Sequence, residues 1–260
     1  MTLPMLVAGW PLPDSVSGRV TTRVGGVSQR SWGGAQQTPD GLNLGVRCGD
    51  DPAAVAENRR RLGALLPTEP VWLEQVHGAV VHVVGAAAAS QAPEPCADAA
   101  VTCEPGRVLA VQSADCLTVL FSDLQGRRIG AAHAGWRGLA AGVLENTVAA
   151  LRGLPGASDD VVAWLGPAIG PGAFEVGAEV REAFLVCDPG AVDCFRSGAL
   201  PGKWMADLFS LATRRLDAVG VRQVGGGGLC TFSDAGRFYS HRRDRTTGRL
   251  ASLIWINPAR

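Results

Sequence analysis

Short apolar runs, each bounded by Gly, Pro or charged residues, are the feature that most limits how this chain can fold. Runs of this length are typical of buried strands, because a helix needs a longer periodic segment. They lie at residues 18–22, 71–76, 80–84, 108–111, 117–121, 129–132 and 161–165, with further strand-like stretches at 238–241 and 251–256. The first run leads into a predicted turn at Gly25-Gly26.

Apolar residues at helical spacing predict helices between these strands. Asp50-Asp51-Pro52 predicts a helix start, because Asp caps free N–H groups and Pro has none to lose, and the pattern continues to Pro67. Further helices are predicted at 139–151, 178–186 and 204–219. The Ala- and Pro-rich stretch 85–95 predicts an exposed loop, and the Gly run 225–228 predicts a flexible segment.

Both element types are mixed along the whole chain, which favours one α/β domain over residues 1–260 with a mixed sheet. Hydrophobic residues make up 47% of the chain, and 24 basic residues balance 24 acidic ones. This balance is typical of a globular protein and indicates neither a nucleic-acid nor a membrane-surface partner. Seven scattered cysteines and an N-terminus without a basic segment favour a reducing cytoplasm over secretion.

The chain has only four histidines, so their settings are informative. His77 and His133 each end a predicted strand before a glycine turn, and Cys116 lies between two apolar runs. Two imidazoles and one thiolate are good zinc ligands that leave a fourth position open. From the residues alone, a hydrogen-bonded structural histidine and a small buried cysteine are the more common alternatives.

The segment His133-Ala-Gly-Trp-Arg-Gly138 predicts a strand, a glycine turn and a helix start. Free backbone N–H groups at a helix start attract anions, and Arg137 adds a guanidinium fork suited to phosphate. A tight junction with a solvated Arg137 is the alternative interpretation.

These motifs taken together resemble the YfiH family, also called laccase-domain or multi-copper polyphenol oxidase-like proteins. The resemblance runs almost end to end, through TRVGGVS (22–28), LNLG (42–45), GDD (49–51), NR (58–59), QVHG (75–78), ADC (114–116), HAGWRG (133–138), GPAIG (166–170), FEVG (174–177), DL (207–208), CT (230–231) and 238–249. It implies a metal, usually zinc, on His77, Cys116 and His133, and layered mixed β-sheets flanked by helices. Phe174 stands where Tyr is frequent, and His241 occupies a variable aromatic position.

The resemblance also implies purine nucleoside chemistry. Adenosine, inosine, guanosine and methylthioadenosine would react with phosphate to give the base and (methylthio)ribose 1-phosphate, with adenosine deamination as a further activity. Asn43, Arg137 and Arg242 are predicted to bind substrate or phosphate. Asp115, the neighbour of Cys116, is the predicted acid/base, and Arg137 is also assigned a catalytic role.

Two other enzyme classes remain open on the sequence. A His₂Cys set can bind copper and oxidise phenols, although four histidines cannot furnish a laccase-type trinuclear cluster as well as a blue-copper centre. Cys116 with His133 could also form a cysteine hydrolase, and some relatives are linked to editing of peptidoglycan precursors. Zinc is the predicted cofactor, with copper as the alternative.

Overall fold

Strands dominate the part of the chain that the structure, a computed structural model, describes: residues 3–9, 13–85, 93–156 and 160–258. They are β1 (Met5–Val7), β2 (Val16–Thr21), β3 (Val24–Ser28), β4 (Val81–Val83), β5 (Ala99–Thr102), β6 (Leu109–Ser113), β7 (Leu117–Asp123), β8 (Ile129–Ala134), β9 (Val161–Leu165), β10 (Glu175–Gly177), β11 (Phe195–Ser197), β12 (Lys203–Ala206), β13 (Gln223–Gly226) and β14 (Leu250–Ile256).

Helices lie between these strands. They are α1 (Pro52–Gly63), α2 (Trp136–Ala140), α3 (Val143–Arg152), α4 (Ala178–Leu185), α5 (Leu208–Ala218) and α6 (His241–Asp244), with short 3₁₀ turns at Arg30–Trp32, Ala35–Gln37 and Pro189–Cys194. No helix in the described ranges is long and apolar enough to cross a bilayer.

Three sheets arise from the strands. The largest has the order β13-β9-β7-β8-β5-β4 and is mixed, because β13 runs parallel to β9 and β4 parallel to β5 while the other pairs are antiparallel. A four-stranded sheet, β1-β2-β14-β6, and a three-stranded sheet, β10-β12-β11, are antiparallel. The predicted fold class, an α/β protein with mixed sheets, is confirmed.

The apolar runs are buried on both faces of the large sheet, which explains why they read as continuous rather than alternating. In β7, Leu120 packs with β6 and β14 of the four-stranded sheet, whereas Val119 and Phe121 point to the other face. That other face packs on α3 and α5 through residues such as Leu144 and Leu211. The result is layered: sheet, sheet, then helices.

This layering positions the candidate site. The turn at 114–116 carries the chain from β6, in the four-stranded sheet, to β7, in the large sheet. Strand β8 lies beside β7, with His133 opposite Thr118. Cys116 and His133 are therefore brought to the same end of neighbouring strands.

Several sequence predictions hold in detail. Asp51 caps α1 by accepting a hydrogen bond from Ala53 N, and Pro52 takes the first helical position. The helix ends at Gly63, earlier than the predicted Pro67. The predicted strands at 80–84, 108–111, 117–121, 129–132, 161–165 and 251–256 and the helix at 178–186 are present within one to two residues.

Other predictions were wrong, and each has a local cause. The helix predicted at 139–151 is split into α2 and α3, because Gly142 has a φ of +90° that no helix interior accommodates. The helix predicted at 204–219 starts only at Leu208, since Asp207 caps it and the residues before it form β12. The predicted turn at Gly25-Gly26 lies within β3. The first half of the predicted flexible segment, Gly225 and Gly226, belongs to β13.

Two strand predictions also failed. Residues 71–76 form only isolated bridges at Val71 and Glu74, and the stretch 238–241 leads into α6, which His241 begins. Phe238 and Tyr239 gave this stretch its strand-like pattern, but both are buried side chains of the loop that precedes α6. Of the predicted loop 85–95, residues 86–92 lie outside the described part of the chain.

Candidate metal centre

His77, Cys116 and His133 converge on one point. Their potential ligand atoms all lie within 4.8 Å of one another, and no other such group of three or more His, Cys, Asp or Glu side chains occurs in the described ranges. The Cys116 Sγ is 3.8 Å from His77 Nε2, and the two imidazole rings meet edge to face with centroids 4.8 Å apart. Residues far apart in sequence are thus brought into one donor set that could hold a metal ion.

Each of the three is positioned by a different kind of local structure. His133 lies near the end of β8 and is buried, with 3% of its surface exposed. Cys116 is half-buried in the turn before β7. His77 is exposed and lies in a bend, with a φ of +61° that is uncommon for a residue other than glycine. Such backbone conformations persist only where surrounding contacts hold them.

Asp98, just before β5, supplies those contacts. Its buried carboxylate accepts hydrogen bonds from the backbone N–H groups of three successive residues, Val76 (3.1 Å), His77 (2.9 Å) and Gly78 (2.7 Å). It also bonds His133 Nδ1 at 2.9 Å. One side chain therefore fixes the bend that carries His77 and the ring orientation of His133. A carboxylate on the outer nitrogen of a metal-binding histidine is a common supporting contact.

Asp98 is ionised in this setting. Burial alone would raise the pKa of its carboxyl, but the hydrogen bonds from His133 and from backbone N–H groups outweigh burial and lower the pKa. An ionised carboxylate can only accept, so Nδ1 of His133 carries the proton. The other ring nitrogen, Nε2, is then the His133 atom available to a metal ion shared with His77 and Cys116.

The thiol of Cys116 is shifted toward its thiolate. Burial alone would raise the pKa of this thiol, but the charge and hydrogen bonding of His133 and His77 outweigh it and lower the pKa. In the same way, the Cys116 charge and Asp98 raise the pKa of His133 against the effect of burial. Thiolate is the form that binds a metal, and a metal ion would compete with a proton for His133.

Gly135 leaves the space in which the donors meet. A Cβ at this position would lie 2.9 Å from Cys116 Sγ and 2.9 Å from His77 Cδ2, closer than real Cβ contacts. Gly138 serves the same region, because a Cβ there would lie 2.6 Å from Gly78 O. The glycines of HAGWRG thus allow close approach to the donors. Two imidazoles, one thiolate and this space fit a borderline-soft ion such as zinc, with one position open.

A cavity of about 320 Å³ opens over the three donors. Gly45, Val46, Arg47, Cys48, Leu73, Gln75, Gln112, Ser113, Ala114, His241 and Arg249 complete its lining. A larger cavity of about 640 Å³ lies at the ends of β9 and β13, beside the glycine run, and none of the three donors lines it. The smaller cavity is therefore the candidate active site, because His77, Cys116 and His133 line it.

Arg47 and Arg249 give the cavity positive charge. Arg47 is 53% exposed at the side chain and forms an ion pair with Glu94 at 2.7 Å. The Arg249 guanidinium donates to the carbonyls of Thr247 and Gly248. Both residues line the cavity, and their guanidinium groups have carboxylate or carbonyl partners there.

Asn43, predicted to bind substrate, is fully buried behind the cavity wall. Its Oδ1 accepts from the backbone N–H groups of Gly45 and Arg249, and its Nδ2 donates to Asp50 and Cys48. Asn43 thereby joins two segments of the cavity wall, one at Gly45 and one at Arg249, and positions both. Direct substrate contact by Asn43 stays a prediction.

Asp115 faces away from the cavity, although it adjoins Cys116. Its carboxylate accepts from Thr231 Oγ1 at 2.6 Å and from Arg242 N at 2.6 Å, and the residue has a φ of +90°. It is not among the residues that line the cavity. Its assignment as acid/base therefore has no support in the placement of its carboxylate.

The two other predicted anion-binding arginines also lie outside the cavity lining. Arg137 is exposed and stacks over the ring of Trp136, with 4.5 Å to the centroid, and α2 behind it is only five residues long. Arg242 donates from its guanidinium to Glu175 O and lies over the Phe174 ring. Phosphate binding by either residue stays a prediction.

Sequence reasoning missed Asp98, Arg47, Arg249 and the cavity role of His241. Asp98 carried a usable signal, because it is a lone carboxylate in the apolar stretch 97–101. Buried carboxylates are rare unless they are paired, so its partners could have been sought. The placement of Arg47 and Arg249 depends on loops far apart in sequence, and no local pattern marks it.

The match to known proteins agrees with this geometry. The family model described as multi-copper polyphenol oxidoreductase laccase matches residues 18–257, and so includes every donor and every residue that lines the cavity. The chain belongs to this family. The resemblance to YfiH proteins is likewise confirmed, because one relative bears that name.

Known proteins resemble the chain over nearly its full length. A purine nucleoside phosphorylase of Pseudomonas aeruginosa is 52% identical over 251 residues, covering 96% of this chain and 98% of the relative. The purine nucleoside phosphorylase YfiH of Escherichia coli is 49% identical, covering 97% and 98%. The crystal structure of a Neisseria meningitidis protein, 44% identical, superposes with a TM-score of 0.87 and covers 98% of this chain and 99% of that one.

Proposed function

We propose that this protein is a zinc-dependent purine nucleoside phosphorylase. The observation that carries the proposal is a single cavity that combines a His-Cys-His donor set with two guanidinium groups. The names of its relatives in Pseudomonas aeruginosa and Escherichia coli point to the same reaction. Adenosine, inosine, guanosine and methylthioadenosine are the proposed substrates, with the base and (methylthio)ribose 1-phosphate as products.

The wall of the cavity suits both substrates. Arg47 and Arg249 offer positive charge to phosphate, and Val46 and Leu73 offer apolar surface to a purine ring. Holding phosphate and nucleoside side by side turns a reaction between two solutes into one within a single complex. The phosphate oxygen can then attack ribose C1′ as the base leaves.

His77, Cys116 and His133 would hold the zinc ion. A zinc ion bound there would act as a Lewis acid at its open position. Asp98 orients the donors, because it fixes both the His77 bend and the His133 ring. Adenosine deamination is proposed as a second activity of the same cavity: water would attack C6 of the adenine, and ammonia would leave to give inosine.

Copper-dependent phenol oxidation is the second candidate, favoured by the description of the family. Against it, the whole chain has four histidines, two of which belong to the one donor set in the described residues. A laccase-type cluster needs many more imidazoles in addition to a blue-copper site. At most, this donor set could serve a single copper ion.

Metal exchange combined with a substrate panel tests the proposal. Protein stripped of metal should be reloaded with Zn²⁺ or Cu²⁺ and assayed with each nucleoside, with and without phosphate, and with a phenol. We expect ribose 1-phosphate only with phosphate and Zn²⁺, and its loss in His77→Gln. His82→Gln is the matched control, because His82 lies in β4 and does not line the cavity.

Other outcomes point elsewhere. Phenol oxidation with Cu²⁺ and no nucleoside cleavage would favour the oxidase. Full nucleoside cleavage by metal-stripped protein, or by His77→Gln, would overturn the metal dependence. Thiol-dependent hydrolysis of a peptidoglycan precursor by stripped protein would instead support a cysteine hydrolase built on Cys116 and His133.

A further inference from the structure

His241 is the imidazole in the cavity that does not belong to the donor set. It begins α6, is exposed, and lines the same cavity as His77 and His133. The remaining histidine, His82, lies in β4 and is not part of the lining. All four histidines of the chain are thereby placed.

Cleavage of a nucleoside needs a proton on the departing base. When the C1′–N9 bond breaks, its electron pair passes to the purine, and protonation at N7 stabilises the leaving group. A side chain that donates this proton should exchange protons near neutral pH. The Arg47 guanidinium is unsuited, because its hydrogen bond to Glu94 raises its pKa further above that range, and the Arg249 guanidinium donates to the carbonyls of Thr247 and Gly248.

The other polar groups of the lining are less suited. Gln75 and Gln112 are held to each other, with Gln75 Nε2 donating to Gln112 O and Gln112 N donating to Gln75 Oε1. The Cys48 thiol is bonded to Gly45 O and accepts from Asn43 Nδ2. His241 combines an exposed imidazole with a position on the cavity wall.

The backbone around His241 is firmly fixed. Ser240 caps α6 by accepting from Arg243 N, and Arg242 N donates to the Asp115 carboxylate at 2.6 Å. Arg243 also donates from its guanidinium to the carbonyls of Thr231 and Phe232. Asp115 therefore holds the backbone of Arg242, the residue after His241. Its carboxylate can do this although it does not line the cavity.

We propose that His241 is the general acid of nucleoside cleavage and that Asp115 is its positioning residue. This inference rests on the proposed phosphorylase function. A phosphate oxygen forms the bond to C1′, the C1′–N9 bond breaks with its electron pair going to the base, and the His241 proton passes to N7. The imidazole then regains a proton from solvent.

A substrate that needs no proton on leaving tests the assignment. 7-Methylguanosine carries its positive charge already, so its base departs without a general acid. In His241→Gln, we expect kcat for guanosine to fall about 100-fold or more, and kcat for 7-methylguanosine to change less than about threefold. Zinc content and thermal unfolding should match the wild type, because His241 is exposed and outside the donor set.

Asp115→Asn should show the same selectivity in weaker form, since the amide can no longer accept from both Thr231 Oγ1 and Arg242 N, and the backbone next to His241 would be less firmly held. A variant His241→Gln that slows both nucleosides equally, or neither, would overturn the assignment while the phosphorylase function stands. A wild-type protein that cleaves neither nucleoside in phosphate would overturn the proposed function and this assignment with it.

Discussion

Asp98 and Asp115 are two buried carboxylates that flank the donor set, and they face in opposite directions. Asp98 is 18 residues from the nearest donor along the chain, at Cys116, yet it bonds the His133 ring and the His77 backbone. Asp115 is the immediate neighbour of Cys116, yet its carboxylate bonds Thr231 and Arg242 N. The carboxylate that supports the donors is therefore not the one nearest to them in sequence.

The contrast divides the cavity into two sides with separate supports. Asp98 organises the donor side, and Asp115 with Asn43 bonds the backbone of the segments that carry His241 and Arg249, the other side. Substitutions on one side should therefore change metal binding, and those on the other should change steps that involve substrate.

The largest effect is expected from Asp98→Asn. An amide cannot accept hydrogen bonds at both ends, so it would leave backbone N–H groups of 76–78 or His133 Nδ1 without an acceptor. Zn²⁺ affinity should fall about 10- to 100-fold, as is typical when a supporting contact of a ligand is lost. Competition with a chromophoric chelator measures the affinity. An unchanged affinity would show that the donors are held without Asp98.

The same variant has a pH signature in its stability. The pKa of Asp98 is lower in the folded protein than in the unfolded chain, so its contribution is present above the unfolded pKa of about 4 and is lost as pH falls through the folded pKa. The difference in unfolding free energy between wild type and Asp98→Asn should therefore shrink in acid. Urea unfolding of metal-stripped protein at pH 7 and at pH 3 measures it. A constant difference would mean that the charge of Asp98 does not stabilise the fold.

A second effect distinguishes Arg47 from Arg137. Lys cannot reproduce the guanidinium fork, and losing a charge-assisted contact costs about 1.5–3 kcal/mol, or roughly 10- to 100-fold. Arg47→Lys should raise KM for phosphate by about that factor, because Arg47 lines the cavity. Arg137→Lys should leave KM within about twofold, since Arg137 stacks on Trp136 at the surface. The reverse result would support the assignment of Arg137 to phosphate that the HAGWRG motif predicts.

What the sequence could predict follows from how local each feature is. The buried strands, the Asp51 cap and the donor motifs are marked by residues within a few positions of one another. The pairing of Asp98 with His133, 35 residues apart, depends on β5 lying beside β8 in the sheet. Helical periodicity also extended too far at Trp204, because β12 precedes the Asp207 cap. Sheet order is set by the whole chain, and no short window contains it.

A smaller effect is expected from Asp115→Asn on the donor side. Metal affinity should change less than about threefold, because Asp115 contacts no donor side chain directly. Stability should fall by about 1–3 kcal/mol, from the weakened bonds to Thr231 and Arg242. Thr231→Val is the matched control that removes one of these bonds. A loss of zinc as large as that of Asp98→Asn would break the division into two sides.

The smallest effect concerns Glu94, which pairs with Arg47 at 2.7 Å and with Arg59 at 3.0 Å. Phosphate bound in the cavity would have to compete with Glu94 for the Arg47 guanidinium. Glu94→Gln should therefore lower KM for phosphate about two- to threefold, the range expected for an ion pair at the surface. This decrease in KM should be smaller at high ionic strength, because salt already screens the ion pair between Glu94 and Arg47 in the wild type. Glu57→Gln is the control, since Glu57 pairs with Arg60 and Arg61 on α1, outside the cavity lining. If Glu94→Gln raises KM instead, the ion pair holds Arg47 in the orientation that phosphate needs.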